Sequence, residues 1–172
     1  MSQTLPRTTY SRYKMVSYDE ASPAVKAIYD DTKKTLQLPF VLNWFKCQGD
    51  NETLLKGNWS KLKNTLMEGE VPNVLKQLII YNVSKERGCN YCSHAHGIFA
   101  DSMSSMISDE EGFKATEHMN SPSMPVSYRT AVQIVTKAAL NHDEISDADF
   151  EELENAGFSR KEIQELMAQA DL

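Results

Sequence analysis

Leu78-Ile79-Ile80-Tyr81 and, beyond Gly88, Cys89-Asn90-Tyr91-Cys92-Ser93-His94-Ala95-His96 form the stretch on which the reading of this chain turns. The first part is apolar on every side of a helix, which fits a helix buried in the domain centre or at a subunit contact. Gly88 breaks it. The second part holds two of the three cysteines and two of the four histidines. If it is helical, Cys89 stands three residues before Cys92 and Cys92 four before His96, so all three side chains share one face. With Asn90 as the expected cap, the cysteines lie at a helix start, where unpaired N–H groups and the positive dipole end favour thiolate over thiol. The spacing predicts a reactive dithiol beside an imidazole.

Helix signals continue on both sides. Ser22-Pro23 has the form of a cap followed by proline at the first helical position, and Val25, Ile28, Tyr29, Thr32 and Leu36 recur at helical spacing up to Pro39. A short apolar helix or turn is expected near Phe40 to Cys47. A helix capped at Asp50-Asn51 should follow, turning Leu54, Leu55, Leu62 and Leu66 inward, weakened at Gly57 and ended at Gly69. Pro72 opens the buried helix, and the cysteine helix should run to about Met106. After a polar connection, Ser127 and Asp147 are read as caps of two more helices. Gly157 closes the second, and Ser159-Arg160-Lys161-Glu162 has the form of a capping box. No segment alternates as a strand does, so the fold class is all-α, a single-domain bundle of about eight helices. Residues 1–20 are read as an N-terminal arm and residues 21–172 as one helical domain.

Size and charge narrow the function. A chain of 19.5 kDa with 41% apolar residues can fill one core. The net charge of −6 is uneven: from Asn141 onward ten acids face two bases, leaving +2 elsewhere, which disfavours nucleic acid as a partner. No apolar run approaches the ~20 residues of a membrane span, and the first residues lack a secretory core, so no membrane partner and a cytoplasmic location are expected. Three cysteines, two of them in a C-x-x-C, do not make a secreted disulfide framework.

From spacing alone three readings stay open: redox catalysis, a zinc site in which Cys47, His94 or His118 supplies a fourth ligand to Cys89, Cys92 and His96, and an inert clip. A thioredoxin-type site needs a strand before its helix, and a c-type haem site needs His where Ser93 stands. A calcium loop at Asp147-Ala148-Asp149 would need Gly where Glu152 stands. His94, two residues after Cys92, points off the shared face. His118 and His142 are expected to be unremarkable, and Cys47 to be a small apolar filler.

Lys76-Gln77-Leu78-Ile79, Val83-Ser84 and Cys89-x-Tyr91-Cys92-x-x-x-His96 together resemble the alkylhydroperoxidase D-like branch of the carboxymuconolactone decarboxylase family. Ser22-Pro23 with Ile28-Tyr29, and the ending Ile145-Ser146-Asp147-Ala148-Asp149 with Ala156-Gly157-Phe158-Ser159, are similar to its peroxidase-related members. The resemblance implies an all-helical fold, homo-oligomers such as trimers or hexamers, and thiol-dependent reduction of hydroperoxides without a cofactor. By position it implies Cys92 as the attacking thiol, Cys89 as the resolving one and His96 as proton acceptor; Tyr91, within the motif, is a supporting candidate. A lipoyl protein or a thioredoxin-like protein would be the dithiol donor. Gln77 stands where the family usually has a Glu. An amide orients but does not shuttle a proton near neutral pH, so Glu86 or an acid from a neighbouring subunit is the expected substitute, or the site is weakened and the protein serves as an oligomeric scaffold.

Overall fold

The computed structural model describes residues 13–172, so the first twelve residues of the expected arm lie outside the described residues. Among the described residues there are eight α-helices and no strand. The chain divides into two compact units, Met1–Lys61 and Leu62–Leu172.

The first unit contains α1 (Pro23–Leu36), the short α2 (Asn43–Lys46) and most of α3 (Glu52–Leu62). Ser22 caps α1 by accepting from the Val25 N–H, as the Ser-Pro signature anticipates. Its end is less ordinary, because Gln37 closes it in the left-handed region, at φ 54°, where glycine or asparagine is usual. Asn51 caps α3 through the Leu54 N–H. Tyr29, Phe45, Leu55 and Trp59 are buried. Phe45 meets Trp44 and Trp59 edge to face, and the Trp59 indole N–H donates to Asp31 at 2.7 Å. The described end of the expected arm packs inside this unit: Val16 is buried, donates to the Lys46 carbonyl and accepts from the Tyr29 hydroxyl. Leu54, expected inward, is exposed, because Trp59 at helical spacing from Leu55 sets the buried face instead.

The second unit opens with a π-helical turn, Lys63–Met67, and continues through α4 (Asn73–Glu86), α5 (Asn90–Ser102), α6 (Val126–Leu140), α7 (Asp147–Asn155) and α8 (Arg160–Ala168). α4 is its axis. Val74, Leu75, Leu78, Ile79 and Val83 are buried among Ala100 of α5, Ala131, Ile134 and Val135 of α6, Leu153 of α7 and Leu166 of α8. The helix apolar all round is thus the unit's centre.

Two caps fall elsewhere than expected. α6 starts at Val126 after Pro125, so Ser127 lies inside its first turn. α7 is capped by Ser146, whose backbone N–H and hydroxyl both donate to Asp149. Lys137 of α6 also donates to Asp149, at 2.9 Å. The Lys137 hydrogen bond, with those from Ser146, holds the Asp149 carboxyl below the usual carboxylate range. The Ser159/Glu162 capping box is present as read.

An ion pair between a buried lysine and a half-buried glutamate fastens α4 to α8. Lys76 is 1% exposed, and its ammonium reaches the Glu165 carboxylate at 3.0 Å and the Glu68 carbonyl. The same carboxylate accepts the backbone N–H groups of Glu70 and Val71. Gly69 lies alongside at φ +111°, and a Cβ there would strike the Glu165 carboxylate. Burial pushes the Glu165 pKa upward, but the two N–H donors and Lys76 outweigh it, and the net direction is down.

Candidate active site

The site stands on the α4–α5 hairpin. α4 ends as its chain turns through Gly88, at φ 69°, and the Cys89 N–H donates back to the Ser84 carbonyl at 2.8 Å. The chain thereby reverses within three residues. The residue capping α5 is Cys89, one position before the Asn90 expected from sequence: its sulfur accepts from the Cys92 N–H at 3.4 Å. Cys92 is in the first turn and His96 one turn further on the same helix, as the spacing anticipates. Cys89 and Cys92 are joined as a disulfide with Cα atoms 5.5 Å apart.

His96 faces α4. Its Nδ1 lies 2.7 Å from Oε1 of Gln77, which is 2% exposed. Gln77 Nε2 donates to Asn73 Oδ1 one turn earlier at 3.1 Å, and Asn73 Nδ2 donates to the thioether sulfur of Met67 at 3.7 Å. Burial lowers the His96 pKa from 6.5 to about 4, so the ring is neutral at pH 7.

Gly97 explains why two helices meet closely enough for this contact. A Cβ there would come within 3.2 Å of the Tyr81 ring, and Tyr81 is one turn after Gln77 on α4. The glycine therefore lets α5 settle on the face of α4 that carries Gln77.

The structure thus brings Cys89, Cys92, His96 and Gln77 onto one hairpin. It leaves Glu86 exposed at the end of α4 and Tyr91 45% exposed on α5. His94 is exposed, while His118 stacks on Phe113 with centroids 5.1 Å apart and bonds to the Lys114 backbone. Cys47 is half-buried and its thiol donates to the Trp44 carbonyl. Among the described residues no three His, Cys, Asp or Glu side chains are grouped as metal ligands. Asn73, Met67 and Gly97 were not singled out from sequence. The spacing of Asn73 from Gln77, four residues on one helix, was the signal for the first.

The described residues form an all-helical fold with the joined Cys89 and Cys92 at a helix start and a histidine–amide hydrogen bond across the α4–α5 hairpin. The particular architecture is that of the alkylhydroperoxidase AhpD core. An uncharacterized peroxidase-related protein from Ralstonia eutropha JMP134, described as an alkylhydroperoxidase AhpD core, superposes with TM-score 0.78 at 18% identity, covering 94% of this chain and 83% of that one. A peroxidase-related protein from Silicibacter sp. TM1040 gives TM-score 0.75 at 20% identity, covering 96% and 86%. The debrominase Bmp8, as a cysteine-to-alanine variant in complex with 2,3,4-tribromopyrrole, gives 0.76 at 17% identity, covering 95% and 84%. At these identities the likeness carries the fold, and that fold houses more than one activity. No family model and no curated protein matches the sequence.

Proposed function

We propose that the protein is a thiol-dependent hydroperoxide reductase. The observation that supports this most is the Cys89/Cys92 pair at the start of α5, one turn from a neutral His96 whose Nδ1 is hydrogen-bonded to buried Gln77. In the reduced protein His96 takes the Cys92 proton, and the helix start favours the resulting thiolate. The thiolate sulfur attacks the terminal peroxide oxygen. The O–O bond breaks, the alkoxide or hydroxide leaves with the proton, and Cys92 becomes a sulfenic acid. Cys89 then displaces water from that sulfur and forms the disulfide. An external dithiol, a lipoyl or thioredoxin-like protein, reduces it by exchange and is itself oxidised. Gln77 orients the ring and relays no proton. Assembly as a homo-oligomer and a cytoplasmic location complete the proposal; no described helix is long and apolar enough to cross a membrane.

The test is intact mass of the reduced protein after one equivalent of hydroperoxide. Wild type should lose two hydrogens, Cys89→Ser should give a trappable sulfenate, and Cys92→Ser should stay reduced. Unchanged thiols in wild type would end the proposal. The likeness to Bmp8 favours a second reading, in which the same dithiol gives two electrons and a proton replaces bromine as bromide on a halogenated ring. Bromide release from 2,3,4-tribromopyrrole by the reduced protein, without hydroperoxide consumption, would select it.

A further inference from the structure

Resting on the dithiol reading of the site, we propose that Asn73 and Met67 are positioning residues that fix the tautomer of His96, making Nε2 the atom that receives the Cys92 proton. The far end of the chain of contacts fixes the direction of every link in it. A thioether has no hydrogen and only accepts, so the Asn73 group 3.7 Å from the Met67 sulfur is the amide nitrogen. Asn73 therefore presents its oxygen to Gln77, which must meet it with its own amide nitrogen, at 3.1 Å. The remaining end of the Gln77 carboxamide is an oxygen, 2.7 Å from His96 Nδ1. An amide oxygen only accepts, so Nδ1 carries the hydrogen and, in a neutral ring, Nε2 carries the lone pair. Each link alone could be reversed by turning an amide over. The sulfur at the end removes that freedom for all of them.

The π-helical turn Lys63–Met67 has a place in this arrangement. Such a turn takes i→i+5 hydrogen bonds, is rare, and where it occurs is frequently at a functional site. Met67 is the last residue of that turn, and its sulfur is where the polar chain ends.

Ring tautomers are read directly by long-range 1H–15N correlation on the reduced, labelled protein at pH 7, a measurement independent of peroxide turnover. Wild-type His96 should show protonated Nδ1 and bare Nε2. Met67→Leu and Asn73→Leu should each lower the Nδ1–H to Nε2–H ratio by about fivefold, the size of one neutral hydrogen bond. Asn73→Asp should keep the wild-type tautomer, because a carboxylate can only accept from Gln77. For the same reason Asn73→Asp should abolish the effect of Met67→Leu in the double variant. A wild-type ring protonated on Nε2, or leucine variants that fold with the ratio unchanged, would overturn the proposal. Correct tautomers in a protein whose thiols ignore hydroperoxide would instead overturn only the peroxidase reading.

Discussion

Replacing Gln77 by Glu tests the site most directly, because it puts a charge where the structure places a neutral oxygen 2.7 Å from the His96 ring. In wild type, burial holds the ring at about 4 against 6.5 for an exposed histidine, a difference worth ~3 kcal/mol against the charged form. A carboxylate with its charge ~4 Å from the imidazolium returns ~4 kcal/mol at an effective dielectric constant near 20. Part of that is spent desolvating a carboxylate at a position only 2% exposed. The net shift expected for such a pair is upward by ~1–3 pKa units, bringing the His96 midpoint to ~5–7. The assay is an NMR titration of the ring in the reduced protein, with iodoacetamide alkylation at pH 6 and pH 8 in parallel. Alkylation of Cys92 should become faster at pH 6 in Gln77→Glu, because the histidine–carboxylate pair keeps the thiol proton more readily. A midpoint that stays near 4 would refute the geometry, since it would mean residue 77 and the ring are not neighbours in solution.

Three further outcomes follow from the structure. The folded His96 pKa lies below the unfolded value, so the unfolded chain takes up that proton first. Stability from this group is full above pH ~6.5 and is lost as pH falls toward 4; chemical unfolding at several pH values should show that slope shrink in His96→Asn. Glu165→Ala leaves the buried Lys76 ammonium with the Glu68 carbonyl but no counter-charge, and removes the acceptor of two backbone N–H groups; it should cost ~3 kcal/mol in urea unfolding, and a loss below ~0.5 kcal/mol would show the pair is not closed. Gly97→Val drives a branched side chain into the Tyr81 ring and should cost ~1–3 kcal/mol while disturbing the His96 ring signals, whereas the same change at Gly57, where a Cβ meets nothing, should leave those signals in place.

The helices were readable because their signals are local. Ser22-Pro23, the Ser159/Glu162 box and the breaker at Gly88 each act within four residues, the first two through their side chains and Gly88 through the positive φ its missing Cβ allows. The caps that shifted, Cys89 for Asn90, Pro125 for Ser127 and Ser146 for Asp147, are cases where neighbouring residues compete for one role and tertiary packing decides. The cysteine–histidine spacing was legible for the same local reason. What sequence could not supply was the packing around the His96–Gln77 contact. The close approach that Gly97 permits shows only with the Tyr81 ring against it, and the role of Met67 only where its sulfur meets an amide. The π-helical turn leaves no periodic mark in five residues, and Lys76 would pass for a surface lysine without Glu165, a residue 89 positions away that meets it at 3.0 Å.

The last helix does more than close the core. Glu165 grips the backbone at Glu70 and Val71, and Gln169 donates to the Thr65 carbonyl inside the π-helical turn, so residues near the carboxyl end hold the segment that delivers Met67. Trimming the chain ahead of Glu165, by a protease or by a cloning choice, would therefore loosen a histidine that the removed residues never touch.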